Sequence, residues 1–357
     1  MRKIFCLLIL IPLQLLGQQI DSTKTEKAFK VVPLLTSSPL LGWGAGVSTS
    51  YLYNADESNA SKSQLNVGGQ YSTTKSFTLF ANNNLWLKDN RFLSSTTIAF
   101  SDINNEFEDN VFGDVQYKIN SLLIAQILMF KIVNNIYAGP SLSYKRLEYT
   151  SNNQDGEDFI NENAIIDENT GGYGIATSYD SRKNKYYPSN SAWVAVSINN
   201  NPEWLGAINN YYSFVVNARY YPRGFKADDV WAWQLYGQYS SDKTPDTGLA
   251  TLSGKSLLRG YPSGQFKAKY LTGGQTEYRY TINNSRFRLT GFFGIANLAG
   301  GSFGADGNSR DNDGWYSAEG LGIRYKIQQV TGVDLRLDFV HTSEEQVSFY
   351  LSLNQAF

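Results

Sequence analysis

Few residues of this chain could do covalent chemistry, and those few stand apart. His341 is the single histidine and lies in His341-Thr342-Ser343-Glu344-Glu345, with Ser343 as the nearest nucleophile. A general base needs a nucleophile and an orienting carboxylate in hydrogen-bond reach, and no further constellation accompanies this pair. One cysteine and two methionines leave no room for a Cys/His metal cluster or an iron–sulfur site. The acidic stretch Asp306–Asp313 offers oxygen ligands, but its spacing matches no EF-hand calcium loop and reads as a solvated loop. What remains is charge set among apolar residues: Glu277, Arg279, Arg288, Arg324, Arg336 and Asp338. Such groups pair to brace an interior or line a path; neither use is catalysis. The expectation is a protein that is not an enzyme and holds no metal and no cofactor.

The elements that carry these charges read as strands. From Gly42 one parity gives Trp43, Ala45, Val47, Thr49, Tyr51 and Tyr53, and the other gives Gly44, Gly46, Ser48 and Ser50. Near the end Val347, Phe349, Leu351, Leu353 and Phe357 alternate with Ser348, Tyr350, Ser352, Asn354 and Ala356. A soluble sandwich would turn the apolar parity into a dry core, whereas a transmembrane barrel turns it toward lipid around a wet lumen. Run length separates the two. Most runs hold about 10–13 residues, the span of a tilted membrane strand, against about 5–6 in globular sheets. Tyr and Trp gather near run ends, as in Tyr51/Tyr53, Trp231/Trp233 and Tyr278/Tyr280, where interfacial girdles would sit. In the charged segments the same parity turns Glu277, Arg279 and Phe292 inward, and turns Thr276, Tyr278 and Tyr280 toward lipid.

Composition agrees. Aromatic residues make 14% of the 357 and charged residues only 18%. Mean hydropathy is −0.34, and beyond the N-terminus no apolar run reaches the ~18–20 residues of a membrane helix. A formal net charge of −1 provides no basic field for nucleic acid. Arg2 and Lys3 precede an apolar stretch from Ile4 to Leu16, and Gly17–Gln18 offers a small-residue cut site, the pattern of a secretory signal over residues 1–17. Removing it leaves a chain free of cysteine, exported yet independent of disulfides.

Sixteen runs can be counted, near 42–53, 62–73, 75–87, 90–101, 110–120, 121–132, 134–149, 172–182, 191–200, 209–221, 229–241, 268–282, 286–297, 315–327, 332–342 and 345–357. The expected organisation is a signal peptide (1–17), a short periplasmic segment (18–41) and an all-β, transmembrane antiparallel barrel of about sixteen strands (42–357). The gaps 183–190, 222–228, 283–285 and 328–331 would be periplasmic turns. The longer gaps 150–171, 242–267 and 298–314, rich in Gly, Asn, Asp and Ser, would be extracellular loops.

An ordered set of short motifs completes the picture. Leu258-Arg259-Gly260-Tyr261 is followed by Glu277-Tyr278-Arg279-Tyr280, Gly291-Phe292-Phe293-Gly294-Ile295-Ala296-Asn297, Gly320-Leu321-Gly322-Ile323-Arg324-Tyr325 and Leu335-Arg336-Leu337-Asp338. The set resembles the bacterial surface antigen family, the BamA/TamA-type barrels that assemble or export proteins at the outer membrane of Gram-negative bacteria. Val32-Pro33 through Gly42-Trp43-Gly44 resembles the barrel entry of Bacteroidetes-type members, and Tyr179-Asp180-Ser181-Arg182 with Pro188 is similar to the family's central turn.

The resemblance implies that the Arg-Gly-aromatic loop folds back into the lumen and that Arg259 docks on acidic wall residues. A guanidinium in a narrow lumen needs a carboxylate partner. The family's strand motif Phe-x-Asp-x-Gly has Gly294 in place of Asp here, so Glu277 and Phe292 are the proposed lumen partners. A terminal Phe357 on the lipid parity resembles the barrel recognition signal, and the 24 residues from 18 to 41 are too few for a client-receiving POTRA module. The resemblance implies an accessory or insertase-like subunit working with lipid, other assembly or export subunits and client barrels. Its seam would join the first strand (Gly42, Gly44, Gly46) to the last (Phe349, Phe357). A passive pore or structural barrel is the alternative.

Overall fold

The computed structural model describes residues 29–38, 42–109, 111–162, 165–245, 248–254, 256–261, 266–283, 285–303, 309–310, 312–327, 334–345, 347–353 and 355–357. The proposed signal peptide, and half of the acidic run 306–313, lie outside them.

The apolar stripes face out. Val47, Ile98, Leu142, Ile175, Leu235 and Leu321 are 45–71% exposed, while Ser48, Ser50, Gln64, Gln234 and Gln275 on the opposite parity are buried. In water this arrangement would forgo about 1.5–3 kcal/mol for each large side chain left outside; against hydrocarbon it forgoes nothing. That inversion rejects the sandwich and selects the barrel.

The first half of the wall runs β1 (Phe29–Ser38), β2 (Gly42–Tyr53), β3 (Ser63–Ser72), β4 (Phe77–Leu87), β5 (Phe92–Asp109), β6 (Gly113–Val133), β7 (Ile136–Ser151) and β8 (Glu168–Asp180). It continues as β9 (Ser191–Asn201), β10 (Tyr211–Tyr221) and β11 (Val230–Ser240), after which β12 (Ala250–Leu252) and β13 (Phe266–Ala268) form a separate small hairpin. Then come β14 (Tyr270–Thr281), β15 (Phe287–Ala299), a second small hairpin of β16 (Ser302–Phe303) with β17 (Ser309–Arg310), β18 (Gly314–Lys326), β19 (Asp334–Thr342) and β20 (Val347–Leu353). Among the described residues sixteen antiparallel strands close one barrel, β20 returning to β1.

The strand count agrees with the sequence reading, but two of its members do not. The barrel begins at Phe29, inside the stretch assigned to a periplasmic segment, and not at Gly42. Phe29–Ser38 escapes the alternation test because Val31, Val32, Leu34 and Leu35 are apolar on both parities and Pro33 interrupts it. Residues 113–133 form one strand, not two. Asn120 and Ser121 pair with Asp102 and Ser101 instead of turning. Their polarity serves the lumen, where the Ser101 and Ser121 hydroxyls lie 2.6 Å apart. The missed strand and the split strand offset each other, so every connection after residue 134 keeps the side expected for it.

Exposed aromatics mark both rims. Trp43, Trp204 and Trp315 sit toward the long-loop end, and Phe225 with the stacked pair Trp231/Trp233 (5.5 Å) sits toward the short-turn end. The long gap after β7 holds a helix that the sequence reading missed, α1 (Gln154–Glu162). Asn153 caps it, its Oδ1 accepting from Gly156 N at 2.8 Å. Phe159 stacks on Tyr117 (5.9 Å) and meets Phe112 edge-on (5.6 Å), fastening the helix to the β5–β6 hairpin.

Candidate functional site

The connection from β11 to β14 enters the lumen. Leu252, Leu257, Leu258 and Tyr261 are buried against Leu271, Phe292, Ala296, Leu298, Tyr316 and Val340 of the wall. Tyr261 fixes the tip: its hydroxyl donates to Ser317 O at 2.7 Å and lies 3.0 Å from Ser343 Oγ. Two glycines make this fit possible. Gly260 adopts φ +97°, and a β-carbon there would press on Thr342 and Val340. Gly294, which stands where the resembling family has Asp, leaves the space taken by the Leu258 side chain.

Below the loop lies a buried ionic cluster. Arg259 Nη1 donates to Glu277 Oε2 at 2.7 Å and to Asp338 Oδ2 at 2.9 Å. Its guanidinium carbon is 3.5 Å from the centre of the Phe292 ring. Glu277 also accepts from Arg279 Nε (2.8 Å) and Arg324 Nη2 (3.2 Å), and Asp338 accepts from Arg324 Nη1 and lies 3.4 Å from Arg336 Nε. Arg288 pairs separately with Asp334. Glu277, Arg279, Arg324 and Asp338 are fully shielded from solvent.

The sequence reading identified Glu277 and Phe292 as contacts of Arg259 and missed Asp338 as its second carboxylate. The family pattern directed attention to the β15 strand, where Gly294 replaces the acid, whereas the substitute comes from β19. The inward parity of Asp338 was the only signal available. Removing Arg259 leaves two carboxylates short of a partner beneath the loop. Arg259→Ala is therefore expected to make the 241–269 connection at least ten-fold more sensitive to added protease in otherwise folded barrels, as read by limited proteolysis.

The closure is short. β1 pairs with β2 over ten residues, but with β20 only at Leu35↔Leu351, Thr36↔Tyr350 and Ser37↔Phe349 among the described residues. Pro33 lies just beyond that ladder and has no N–H to extend it. Trp43 and Phe349, in register on either side of Ser37, place their rings 4.9 Å apart across the joint.

Four of the five seam positions expected from the sequence need correction; only Phe349 lies in the ladder that closes the barrel. Gly42, Gly44 and Gly46 belong to the second strand, where Gly46 lets β2 pass close to Gly69 and Gln70 of β3. Phe357 is not on the lipid face: β20 ends at Leu353 and Phe357 is buried in the lumen with Tyr221, Val230 and Ala232. Its main-chain oxygen accepts from Arg279 Nη2 at 2.9 Å, which satisfies part of that buried guanidinium.

His341 lies on β19 rather than in the hairpin after it, exposed, with Nδ1 3.7 Å from Glu319 Oε1. Ser343 Oγ accepts from Ser317 N at 3.1 Å and faces Tyr261, so the two halves of the only nucleophile–base pair serve different neighbours. Asp313 accepts from Gly300 N and Gly301 N (3.0 and 2.9 Å), a turn-closing role. Among the described residues no group of His, Cys, Asp and Glu is arranged to hold a metal ion.

A docked loop, an internal Arg–carboxylate cluster and a closed sixteen-stranded wall are now together in one molecule. The Omp85 superfamily domain matches residues 54–356. The chain belongs to the Omp85 superfamily. This Omp85 barrel is thus a protein of the Gram-negative outer membrane. Its fold is similar to that of CdiB from Escherichia coli, with a TM-score of 0.67 at 12% identity, covering 92% of this chain and 63% of that one. CdiB from Acinetobacter baumannii gives a TM-score of 0.64 at 14% identity, with 92% and 60% covered. BamA from Haemophilus ducreyi lacking POTRA domains 1–3 gives 0.58 at 13% identity, with 93% and 71% covered. This chain therefore spans less than two thirds of either CdiB chain. No curated protein matches it.

Proposed function

We propose that this Omp85 barrel is an accessory or insertase-like subunit that handles polypeptides at the outer membrane, without enzymatic chemistry. The observation that carries the reading is that, among the described residues, the β1–β20 ladder holds three pairs beside ladders of ten and seven on either side. A strand with unpaired N–H and C=O groups is a template for another strand, and adding one gains main-chain hydrogen bonds. The joint is where an incoming client strand would meet the least resistance, since few wall bonds must open first. The docked 241–269 loop keeps the lumen from acting as a free aqueous channel while the seam is used. Its partners would be the lipid bilayer, subunits of an assembly or export machinery, and client barrels.

Thr36→Cys with Tyr350→Cys tests this, because the two positions are register partners across the seam. The oxidised double variant is expected to lose at least ten-fold in its ability to speed insertion of an unfolded barrel protein into liposomes, with recovery on reduction. Undiminished activity in the locked barrel removes the seam from the mechanism.

A further inference from the structure

The loop and the ionic cluster fill one side of the lumen, against β14 to β19. The other side is open. A cavity of 850 Å³ lies against β2 to β10 toward the short-turn end, bounded by the 181–190 turn and residues 355–357. Its size is within the ~300–1,000 Å³ range of small-ligand sites.

The walls of this cavity are rich in donors. Asp180, Trp193 and Arg219 stand in register across β8, β9 and β10. Arg182 and Arg219 both lie over the Trp193 ring, at 5.2 and 4.8 Å from its centre. Arg182 is neutralised by a two-bond grip on Asp180, Nε to Oδ1 at 2.9 Å and Nη2 to Oδ2 at 3.0 Å. Arg219 has no such partner: among the described residues its hydrogen bond goes to the Asn217 amide oxygen at 3.3 Å, and no carboxylate is within ion-pair distance. Lys185 sits 2.8 Å above the centre of the Trp86 ring and 4.0 Å from the already committed Asp180. Burial pushes the Lys185 ammonium down to about 7, Arg182 adds to this and Asp180 opposes it; an anion in the cavity would restore the charge. Lys62 and Lys183 add to the positive lining, against which Asp180 is the one acidic side chain.

Neutral polar groups point into the same space. Asn84 accepts from Ser95 through Oδ1, and Asn217 accepts from Gln234 and Arg219 through Oδ1, which leaves both amide nitrogens free to donate. The adjoining ionic cluster reinforces the sign of the field, since among the described residues Arg259, Arg279, Arg324 and Arg336 share two side-chain carboxylates, Glu277 and Asp338, with the Phe357 main-chain oxygen also on Arg279. A chain of net charge −1 has thus concentrated positive charge inside its barrel. Low-dielectric walls focus such a field on a ligand of opposite sign.

We propose that this cavity is a binding site for an anionic, hydroxyl-rich ligand, a saccharide bearing carboxylate or phosphate groups, with Arg219 and Lys185 meeting its charge and Asn84 and Asn217 donating to its oxygens. A bare anion would need only the two cations. The amide donors and a volume far beyond one phosphate fit a larger body with many acceptor oxygens. The cations are held over Trp193 and Trp86, so little side-chain freedom is lost when the ligand arrives. The site is separate from the β1–β20 seam and does not depend on the seam's role.

The test is calorimetric titration of the full chain in detergent with trigalacturonate, glucose 6-phosphate, maltotriose and inorganic phosphate. Saturable binding of either charged sugar is expected, at least ten-fold tighter than maltotriose and than inorganic phosphate; the two charged probes tell a carboxylate source from a phosphate source. Arg219→Gln and Lys185→Gln are each expected to weaken that binding ten-fold or more, Arg219→Lys less than Arg219→Gln, and Arg91→Gln on an outer turn not at all. Retained heat-modifiable migration shows that each variant is folded. No binding of either charged sugar, equal binding of maltotriose or inorganic phosphate, or unchanged affinity in folded Arg219→Gln overturns the proposal.

Discussion

Glu277→Gln is expected to lower the stability of the folded barrel by about 3–5 kcal/mol, the usual consequence of removing one member of a buried ion-pair set. Gln preserves volume and one acceptor oxygen, so the change isolates the charge. Three guanidiniums converge on this carboxylate, from Arg259 (2.7 Å), Arg279 (2.8 Å) and Arg324 (3.2 Å). Asp338 alone would then balance Arg259, Arg324 and Arg336, and Arg279 would lose its side-chain carboxylate while keeping the Phe357 main-chain oxygen. Buried cations without a counter-charge are the costly case, far more so than a surface pair of about 0–1 kcal/mol. Urea unfolding in lipid vesicles measures the effect as a fall in midpoint at unchanged slope. An unchanged midpoint would show that water or a bound anion already screens the cluster. Because the residues share partners, Glu277→Gln with Asp338→Asn is expected to depart from additivity.

Gly260→Val is the second large effect, directed at the loop rather than the wall. Valine at φ +97° meets a backbone conformation that costs about 1–3 kcal/mol, and its side chain enters space held by Thr342 and Val340 at a similar overpacking cost of about 1–3 kcal/mol. The barrel wall has no need of residue 260, so the expected outcome is an intact barrel with an undocked 241–269 connection. Planar-bilayer recording is expected to show a conductance rise of several-fold over the parent, as the lumen loses Leu257, Leu258 and Tyr261 from its interior. A parent conductance already as large as that of the variant would favour a passive pore. Equal, low conductance in both would mean that the ionic cluster holds the loop without the glycine tip.

The role proposed for the seam and the ligand cavity are independent consequences of one wall. Among the described residues its closure between β1 and β20 is a three-pair ladder, and its lumen is divided into a filled side and an open one. Locking the seam leaves Arg219 and Lys185 untouched, and neutralising those two leaves the ladder at Leu35–Ser37 intact.

Strand parity was legible in the sequence because a barrel in lipid must alternate sides at every residue. Ile175, Leu235 and Leu321 could have gone nowhere but outward once Glu277, Arg279 and Asp338 had gone inward. The loop motif was legible through its resemblance to a family. The entry strand was not: Phe29–Ser38 carries apolar residues on both parities and a proline, and only its pairing with Gly42–Tyr53 shows that it is wall. The continuity of β6 through Asn120–Ser121 was hidden for the opposite reason, since polar residues that suit a wet lumen also suit a turn.

Alternation along the chain was enough to set the membrane-facing stripe, the strand count to within two offsetting assignments, and the inward set of charges. It took the packed barrel to settle that Asp338 joins Glu277 on Arg259, that Phe357 turns into the lumen, and that among the described residues Arg219 has no carboxylate in ion-pair reach. Alternation is a property of one chain segment, read at a spacing of two residues. Pairing across a lumen joins residues as far apart as 259 and 338, and is set by how sixteen strands close and which side of the interior the loop fills.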